Sequence, residues 1–184
     1  MTETVASAFA RDPAWAFLLD ERYPQLAGEF AGALFDQRVG AGSVWISAEA
    51  TAVAMWEAPD ASERTSQTER DAWTAFNELA DSRARARLAA YDAAIHRARP
   101  ERRHWYLGVL ATHPAHRRKG LASAVLEPAL ESASAEQAAC FLETSTESNR
   151  RFYERRGFQV ERDITAPGAP QVWWMRRPAQ TART

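Results

Sequence analysis

The spacing of apolar residues predicts a largely helical first half of the chain that contains one strand hairpin. A helical pattern covers 4–19 and is interrupted near Pro13, and apolar residues over 26–35 recur at helical spacing. Two short apolar segments, 43–47 and 52–56, are joined by a short turn and predict a β-hairpin. The chain is therefore expected to begin with helices and to reach its first strands near position 43.

Two more helices are expected between this hairpin and Pro100. Ser66-x-x-Glu69 has the capping-box spacing that begins a helix, because each side chain can bond a backbone N–H of the first turn. The apolar stripes are Ala72, Trp73, Phe76 and Leu79 in the first helix, and Ala84, Leu88, Tyr91 and Ile95 in the second. The pair forms a long helical insertion between strands.

Strands and helices alternate in the second half of the chain. The nearly continuous apolar segment 105–111 predicts a strand that is buried on both faces. The further elements expected are a helix over 121–133 that Pro128 should kink, a strand over 139–144, a helix over 148–156 closed by Gly157, and strands over 158–162 and 172–175. The unit over 105–144 is predicted to be one right-handed parallel crossover.

The predicted fold class is therefore α/β. We expect a single domain over 1–177, with a mixed, mostly antiparallel sheet, one parallel strand–helix–strand crossover and flanking helices. The tail over 178–184 is expected to be disordered.

Composition narrows the function classes. The formal net charge of −1 gives no overall field that would attract nucleic acid or a membrane, so neither is expected as a partner. Cys140 is the one cysteine, which excludes a disulfide framework, and the four scattered histidines form no metal-ligand pattern. There is no signal-peptide pattern, and no apolar run is long enough to span a membrane. We therefore expect a cytoplasmic protein without a metal site.

The basic segment 116–123, HRRKGLAS, joins the buried strand to the next helix. A helix N-terminus presents unpaired backbone N–H groups and a partial positive charge, which suit a phosphate. Gly120 lets the backbone approach a ligand closely, and Arg117, Arg118 and Lys119 add positive charge. Cations at a helix N-terminus are unfavourable by about 0.3–1 kcal/mol each unless an anion binds there. The segment therefore predicts a pyrophosphate site.

Three motifs follow one another in this half of the chain. They are Leu107-Gly-Val-Leu110-Ala-Thr112-His-Pro114, Arg117-x-x-Gly120-x-Ala122 and Phe152-Tyr153-Glu-Arg-Arg-Gly157-Phe158. In this order and separation they resemble the motifs of the GNAT superfamily of N-acetyltransferases, firmly over 105–160 and more loosely elsewhere. The resemblance implies that fold, acetyl-CoA as co-substrate, and transfer of its acetyl group to a primary amine of a small molecule or peptide.

The resemblance also implies roles for individual residues. The loop that would hold the pyrophosphate comprises Arg117, Arg118, Lys119, Gly120, Leu121, Ala122 and Ser123. The strand residues that would bond the pantetheine arm are Leu110, Ala111 and Thr112, with the Leu110 N–H polarising the thioester carbonyl. Tyr153 would protonate the leaving thiolate, and Asn149, one helical turn earlier, would bond the pantetheine amide. Cys140 lies inside a predicted strand, so direct attack by the amine is favoured over a covalent intermediate.

The base that deprotonates the amine is left open by the sequence. Glu143, near the end of the strand after the crossover, is the first candidate, His104 and Glu57 are alternatives, and a chain of water molecules could serve instead. Such residues more often lie at the surface or in ion pairs than act as a base. The helical insertion over 66–97 is expected to border the acceptor site.

Two features depart from the family pattern. The family places a strand before its first helix, whereas this chain starts almost directly in a helix. Either that strand is missing, or residues 2–5 supply a stub, or the true start lies upstream. An absent strand would leave a sheet edge open, so the sequence also allows a homodimer. Position 146 is Thr where the family has Asn, and Asn149 is the nearby replacement.

Two other functions are compatible with the sequence. A non-catalytic acyl-CoA-binding module, acting as a sensor or partner subunit, would keep the loop without needing Tyr153. A nucleic-acid-binding protein would use Arg102, Arg103, Arg117, Arg118 and Lys119. The net charge near zero and the lack of interleaved aromatic residues disfavour this last function.

Overall fold

The computed structural model describes residues 1–59 and 67–180. Its helices are α1 (Thr2–Phe9), α2 (Pro13–Leu19), α3 (Tyr23–Val39), α4 (Gln67–Leu79), α5 (Ser82–Ala98), α6 (Leu121–Ala135) and α7 (Glu147–Glu154). Its strands are β1 (Val44–Ile46), β2 (Ala52–Glu57), β3 (His104–Thr112), β4 (Ala139–Thr144), β5 (Gln159–Ile164) and β6 (Val172–Arg177). The predicted capping residue Ser66 and positions 181–184 of the predicted tail lie outside the described residues. None of the helices in the described part of the chain is both long and apolar enough to cross a bilayer.

The described strands form one sheet in the order β1-β2-β3-β4-β6-β5. β3 and β4 are parallel, and the other neighbouring pairs are antiparallel. α6 connects the two parallel strands and completes the predicted crossover. The predicted fold class is confirmed, because the chain has a mixed, mostly antiparallel sheet within a single α/β domain.

Helices cover both faces of this sheet, because successive side chains of a strand point to opposite faces. On one face, Val53 and Met55 of β2 belong to a core that includes side chains of α1 to α5. On the other face, Ala54 and Trp56 pack with α6, including its fully buried Leu126. The strands that carry the candidate site are therefore held between two packed layers.

The N-terminal region is helical from its second residue. Residues 2–5 form the start of α1 rather than a strand stub, because the fully buried Val5 packs into the core from this helix. Pro13 begins α2, where its missing N–H is not needed. Asp12 caps this helix, and its Oδ1 accepts hydrogen bonds from two first-turn N–H groups at 2.9 and 3.1 Å. The break predicted near Pro13 is confirmed.

α6 and α7 end within two residues of their predicted boundaries. α6 continues past Pro128 and ends two residues beyond the predicted boundary. At the end of α7, Gly157 has a φ of +83°, and the Phe158 N–H donates to the Tyr153 carbonyl at 3.2 Å. This is the hydrogen bond expected of a glycine that terminates a helix, and it fixes Tyr153 in the last turn.

Candidate active site

A cleft opens where β3 and β4 separate. Their parallel pairing ends at Leu107 and Leu142, whereas β3 continues along β2 as far as Thr112. The register between β2 and β3 skips Gly108, which is therefore the extra residue of a β-bulge. A bulge bends its strand, so the end of β3 turns away from β4 and leaves space between them.

Backbone N–H groups of β3 face this cleft at alternate residues. The His113 N–H donates to the Thr51 carbonyl at 2.8 Å, on the β2 side. Because the bonding edge alternates along an antiparallel strand, Ala111 also faces β2, whereas Leu110 and Thr112 present their N–H groups to the cleft. Leu110 therefore has a donor on the edge required for a thioester carbonyl, and Ala111 does not.

The loop after β3 leads to an N-terminus of α6 that no side chain of the described residues caps. Gly120 occupies the N-cap position with a φ of +80°, and a Cβ built on it would meet no atom within 4 Å. The first N–H groups of a helix lack intrahelical partners, and here they belong to Leu121, Ala122 and Ser123. Open space beside unpaired donors fits an anion such as a diphosphate.

The three cations of the loop differ in their contacts. Arg117 Nη2 donates to the Ala8 carbonyl at 3.2 Å, which ties the loop to the end of α1. Arg118 has a φ of +62°, and it and Lys119 are exposed beside the N-terminus of α6. These side chains are available to attract a polyanion from solution.

Ser123 brings a further arginine to the loop that the sequence analysis did not select. Arg156 Nη2 donates to Ser123 Oγ at 2.5 Å, and its guanidinium carbon lies 3.6 Å from the centroid of the Phe152 ring. Arg156 is therefore half-buried against the first turn of α6. The Phe152-to-Arg156 spacing of four residues was the one available signal for this contact.

Tyr153 and Asn149 line the opposite wall of the cleft, in a pocket of about 60 Å³ that also includes Leu110 and Glu143. Tyr153 is 7% exposed, and its burial, with the nearby charge of Glu143, raises the pKa of the phenol well above its usual value. The hydroxyl therefore stays protonated at neutral pH. Thr146 caps α7 by accepting the Asn149 N–H at 3.4 Å. Because Thr146 caps α7, the side chain of Asn149 is not needed as a cap, and this exposed residue borders the pocket.

Glu143 stands at the junction of two cavities. The pocket between β3 and β4 shares five lining residues with a larger cavity of about 850 Å³, namely Ala14, Trp15, Tyr91, Gly108 and Glu143. Glu143 follows the last parallel pair of β4, and its Oε2 accepts a hydrogen bond from the Tyr106 hydroxyl at 2.7 Å. Burial raises the pKa of Glu143 to about 7. A carboxyl group with this pKa can accept and release a proton near neutral pH.

The other two candidate bases are less suited to proton transfer at this junction. His104 lies six residues before Leu110 on β3, a separation of roughly 20 Å along a strand. Glu57 forms ion pairs with Arg38 and Arg99, and these arginines lower its pKa against the opposing effect of burial. Glu57 therefore stays ionised within its two ion pairs, whereas the raised pKa of Glu143 lets its carboxyl group exchange a proton near neutral pH.

The larger cavity is bordered by the two helices of the insertion between β2 and β3. Trp73 and Asn77 of α4 and Leu88 and Ile95 of α5 line it, although position 66 of the predicted insertion lies outside the described residues. A cavity of this size can hold a drug-sized molecule. Its direct connection to the cleft at Glu143 makes it the candidate acceptor site.

Neither a thiol nor a metal centre is suggested at the junction. Cys140 is fully buried on β4, and burial raises its pKa to about 11, which leaves a protonated and unreactive thiol. Across the described ranges, no group of three or more histidine, cysteine or acidic side chains is arranged to hold a metal ion.

The sequence of this chain matches a known protein family. The model of the Acetyltransferase (GNAT) family matches residues 49–158, which is more than half of the chain. The chain belongs to the GNAT acetyltransferase family. The match includes β3, the basic loop, α6, β4 and α7, so it covers both walls of the cleft between β3 and β4.

Two solved structures resemble this GNAT protein over nearly its whole length. The structure of histone acetyltransferase HPA2 and related acetyltransferase from Corynebacterium glutamicum has a TM-score of 0.67 at 22% identity, covering 100% of this chain and 91% of that one. An N-acetyltransferase from Staphylococcus aureus Mu50 has a TM-score of 0.58 at 14% identity, covering 95% and 92%. At these identities the likeness establishes the fold.

Proposed function

We propose that this GNAT protein is an acetyl-CoA-dependent N-acetyltransferase in which a primary amine attacks the thioester directly. The observation that carries the proposal is the junction at Glu143, where a pocket bordered by Leu110 and Tyr153 meets a cavity large enough for an acceptor. The reactive thioester and the amine would meet there.

The chain's own donors fit the parts of acetyl-CoA. Gly120 and the N–H groups at the start of α6 would bind the diphosphate, with Arg117, Arg118 and Lys119 supplying counter-charge. The cleft-facing N–H groups of Leu110 and Thr112 and the amide of Asn149 would bind the pantetheine arm. Acetyl-CoA, when bound, supplies the acetyl group as an activated thioester.

Glu143 would act as the base. An amine is nucleophilic only after it loses its ammonium proton, and the ionised Glu143 carboxylate would accept that proton. The Leu110 N–H would stabilise the negative charge that develops on the carbonyl oxygen, a contribution of roughly 3 kcal/mol for one such donor. Both groups border the same pocket.

Tyr153 would act as the acid. As the new C–N bond forms and the C–S bond breaks, the phenol would donate its proton to the departing thiolate. The acylated nitrogen would release its second proton to solvent, from which the phenolate would be reprotonated. Its raised pKa keeps the phenol protonated at neutral pH, and neutralisation of Glu143 by the amine proton would remove one cause of that raised pKa before the thiolate forms. Cys140 takes no part because its thiol is buried and protonated.

Tyr153→Phe should slow turnover about 10²-fold and leave the Kd for acetyl-CoA within about twofold, because only a proton donor is removed. Steady-state kinetics and calorimetry measure the two quantities. Tyr23→Phe is the matched control, since the Tyr23 hydroxyl donates to the Ala6 carbonyl at 2.7 Å outside the cleft. Unchanged turnover in Tyr153→Phe would remove Tyr153 from the mechanism.

Thermal unfolding and thiol release together test the proposed function. Acetyl-CoA at 100 times its Kd should stabilise the protein by about 2.7 kcal/mol and raise the Tm by roughly 5–10 °C. Release of free CoA thiol with a panel of primary amines should then identify an acceptor. Stabilisation without thiol release or an acetylated product for any amine would favour a non-catalytic acyl-CoA-binding module.

A further inference from the structure

A partly buried charge cluster adjoins Glu143 on the side of the larger cavity, and the proposed mechanism does not use it. Glu57 on β2 is ion-paired with Arg38 Nη2 at 2.5 Å and with Arg99 Nη1. The Arg38 side chain is only 5% exposed, and its guanidinium also donates to the Leu34 carbonyl at 2.9 Å. Buried ion pairs lose hydration and are weak evidence for a stabilising role. The other contacts of Arg99 indicate a different role for the cluster.

Arg99 reaches Glu143 through the ring of Tyr106. The guanidinium carbon of Arg99 lies 3.8 Å from the centroid of this ring, a cation–π contact. The ring also stacks on Trp174, with 6.0 Å between ring centroids. Tyr106 is 5% exposed, so these contacts fix the plane of its ring. The fixed ring directs the hydroxyl at Glu143 Oε2, 2.7 Å away.

We propose that Arg99 is a positioning residue for Glu143, acting through Tyr106, and that Glu57 holds Arg99 in place. The Tyr106 hydroxyl binds Oε2 of the carboxylate, and this bond would hold the carboxyl group at the junction of the two cavities, where the amine would meet it. This inference rests on the proposed role of Glu143 as the base. It adds a chain of contacts, from Glu57 to Arg99 to Tyr106, that orients this base.

The charged and titratable groups around Glu143 determine whether a substitution raises or lowers its pKa. They are Asp12 before α2, Glu57 on β2, Tyr91 on α5, Arg99 at the end of α5, Tyr106 on β3 and Tyr153 on α7. The charge of Arg99 and the hydrogen bond from Tyr106 lower the pKa of Glu143, whereas burial and the charge of Glu57 raise it. Removing either Arg99 or the Tyr106 hydroxyl should therefore make Glu143 harder to ionise.

Carbon-13 NMR of protein labelled at glutamate carboxyl groups tests this directly and needs no acceptor. The Glu143 signal is assigned by its loss in Glu143→Gln. We expect a wild-type titration midpoint near pH 7, displaced upward by about one pH unit in Arg99→Gln and in Tyr106→Phe, and restored toward wild type in Arg99→Lys, which keeps the charge. Arg97→Gln, on the exposed last turn of α5, is the control that should not move the midpoint.

The rate of transfer to the fastest amine of the panel should follow the same midpoints. At pH 7, an upward displacement of one unit reduces the ionised fraction of Glu143 about fivefold, and the lost rate should return at pH 9. An unmoved midpoint in either Arg99→Gln or Tyr106→Phe overturns the proposal, because both residues are links in the proposed chain of contacts. If Arg99→Gln does not fold, the Tyr106→Phe midpoint alone decides. A midpoint that moves while the pH dependence of the rate does not would refute the role of Glu143 instead.

Discussion

Gly120→Glu should abolish measurable acetyl-CoA binding and raise the Kd at least about 100-fold. The substitution places a carboxylate in the open space beside the α6 N-terminus, where the diphosphate would otherwise lie. Like charges repel there, and the added side chain fills the approach to the backbone N–H groups. Because a residue other than glycine is strained at a φ of +80°, some stability should also be lost. Isothermal titration calorimetry measures the Kd.

Gly42→Glu is a closely matched control for this experiment. Gly42 also has a positive φ, +66°, and a Cβ built on it would likewise meet no atom within 4 Å. It lies in the turn between α3 and β1, next to Ser43, whose carbonyl accepts the Trp56 N–H, whereas the loop before α6 follows the other end of β3, where Thr112 pairs with Ala52. The control should share the backbone strain and the added charge while keeping wild-type affinity. Wild-type affinity in Gly120→Glu would mean that the diphosphate binds elsewhere.

Glu143→Gln should reduce kcat/KM about 10²–10³-fold above pH 8 and leave acetyl-CoA affinity nearly unchanged. The carboxamide oxygen can still accept the Tyr106 hydrogen bond, so the cleft keeps its shape, but the amide cannot accept the amine proton. Glu147→Gln is the control, because Glu147 lies exposed on α7 in ion pairs with Arg150 and Arg151. A Glu143→Gln enzyme with wild-type rates would exclude this carboxylate as the base.

The pH dependence of the same pair of proteins gives a second test of Glu143. With its pKa raised to about 7, the carboxylate form that accepts the proton grows as pH rises through 7. Wild-type kcat/KM should therefore climb through that range, and the ratio of Glu143→Gln to wild type should fall. Using one amine for both proteins cancels the titration of the amine itself. A ratio that is constant from pH 5 to 9 would contradict the assignment.

Local sequence signals predicted the elements that would bind acetyl-CoA. A buried strand, a glycine at a turn and an apolar-periodic helix are each encoded within a few residues, so β3, the basic loop and α6 could be predicted. The same holds for α7, whose Phe152-Tyr153 pair and Gly157 lie within one helical turn and its cap. The role of the Leu110 N–H was implied by the family resemblance, whereas the edge on which it lies and the bulge at Gly108 come from the structure.

The contacts among Glu57, Arg99, Tyr106 and Glu143 join positions that are distant in the sequence. For that reason the sequence could not predict them. Glu57 is 42 residues from Arg99, and Tyr106 is 37 residues from Glu143. Arginines and glutamates are usually exposed, so no pattern marks these as buried partners. For residues 2–5 the sequence left a strand stub open as one of three alternatives, and the structure excludes it because these residues belong to α1.

Nitrogen-15 NMR of the 20.6-kDa protein during titration with CoA tests the central claim most directly. We predict that the largest shifts of backbone amides occur at 118–123, from the diphosphate, and at the cleft-facing Leu110 and Thr112 of β3. Ala111, whose N–H faces β2, should shift less than either neighbour. Amides that stay unmoved at millimolar CoA, or that move chiefly outside the loop and the end of β3, would contradict the account.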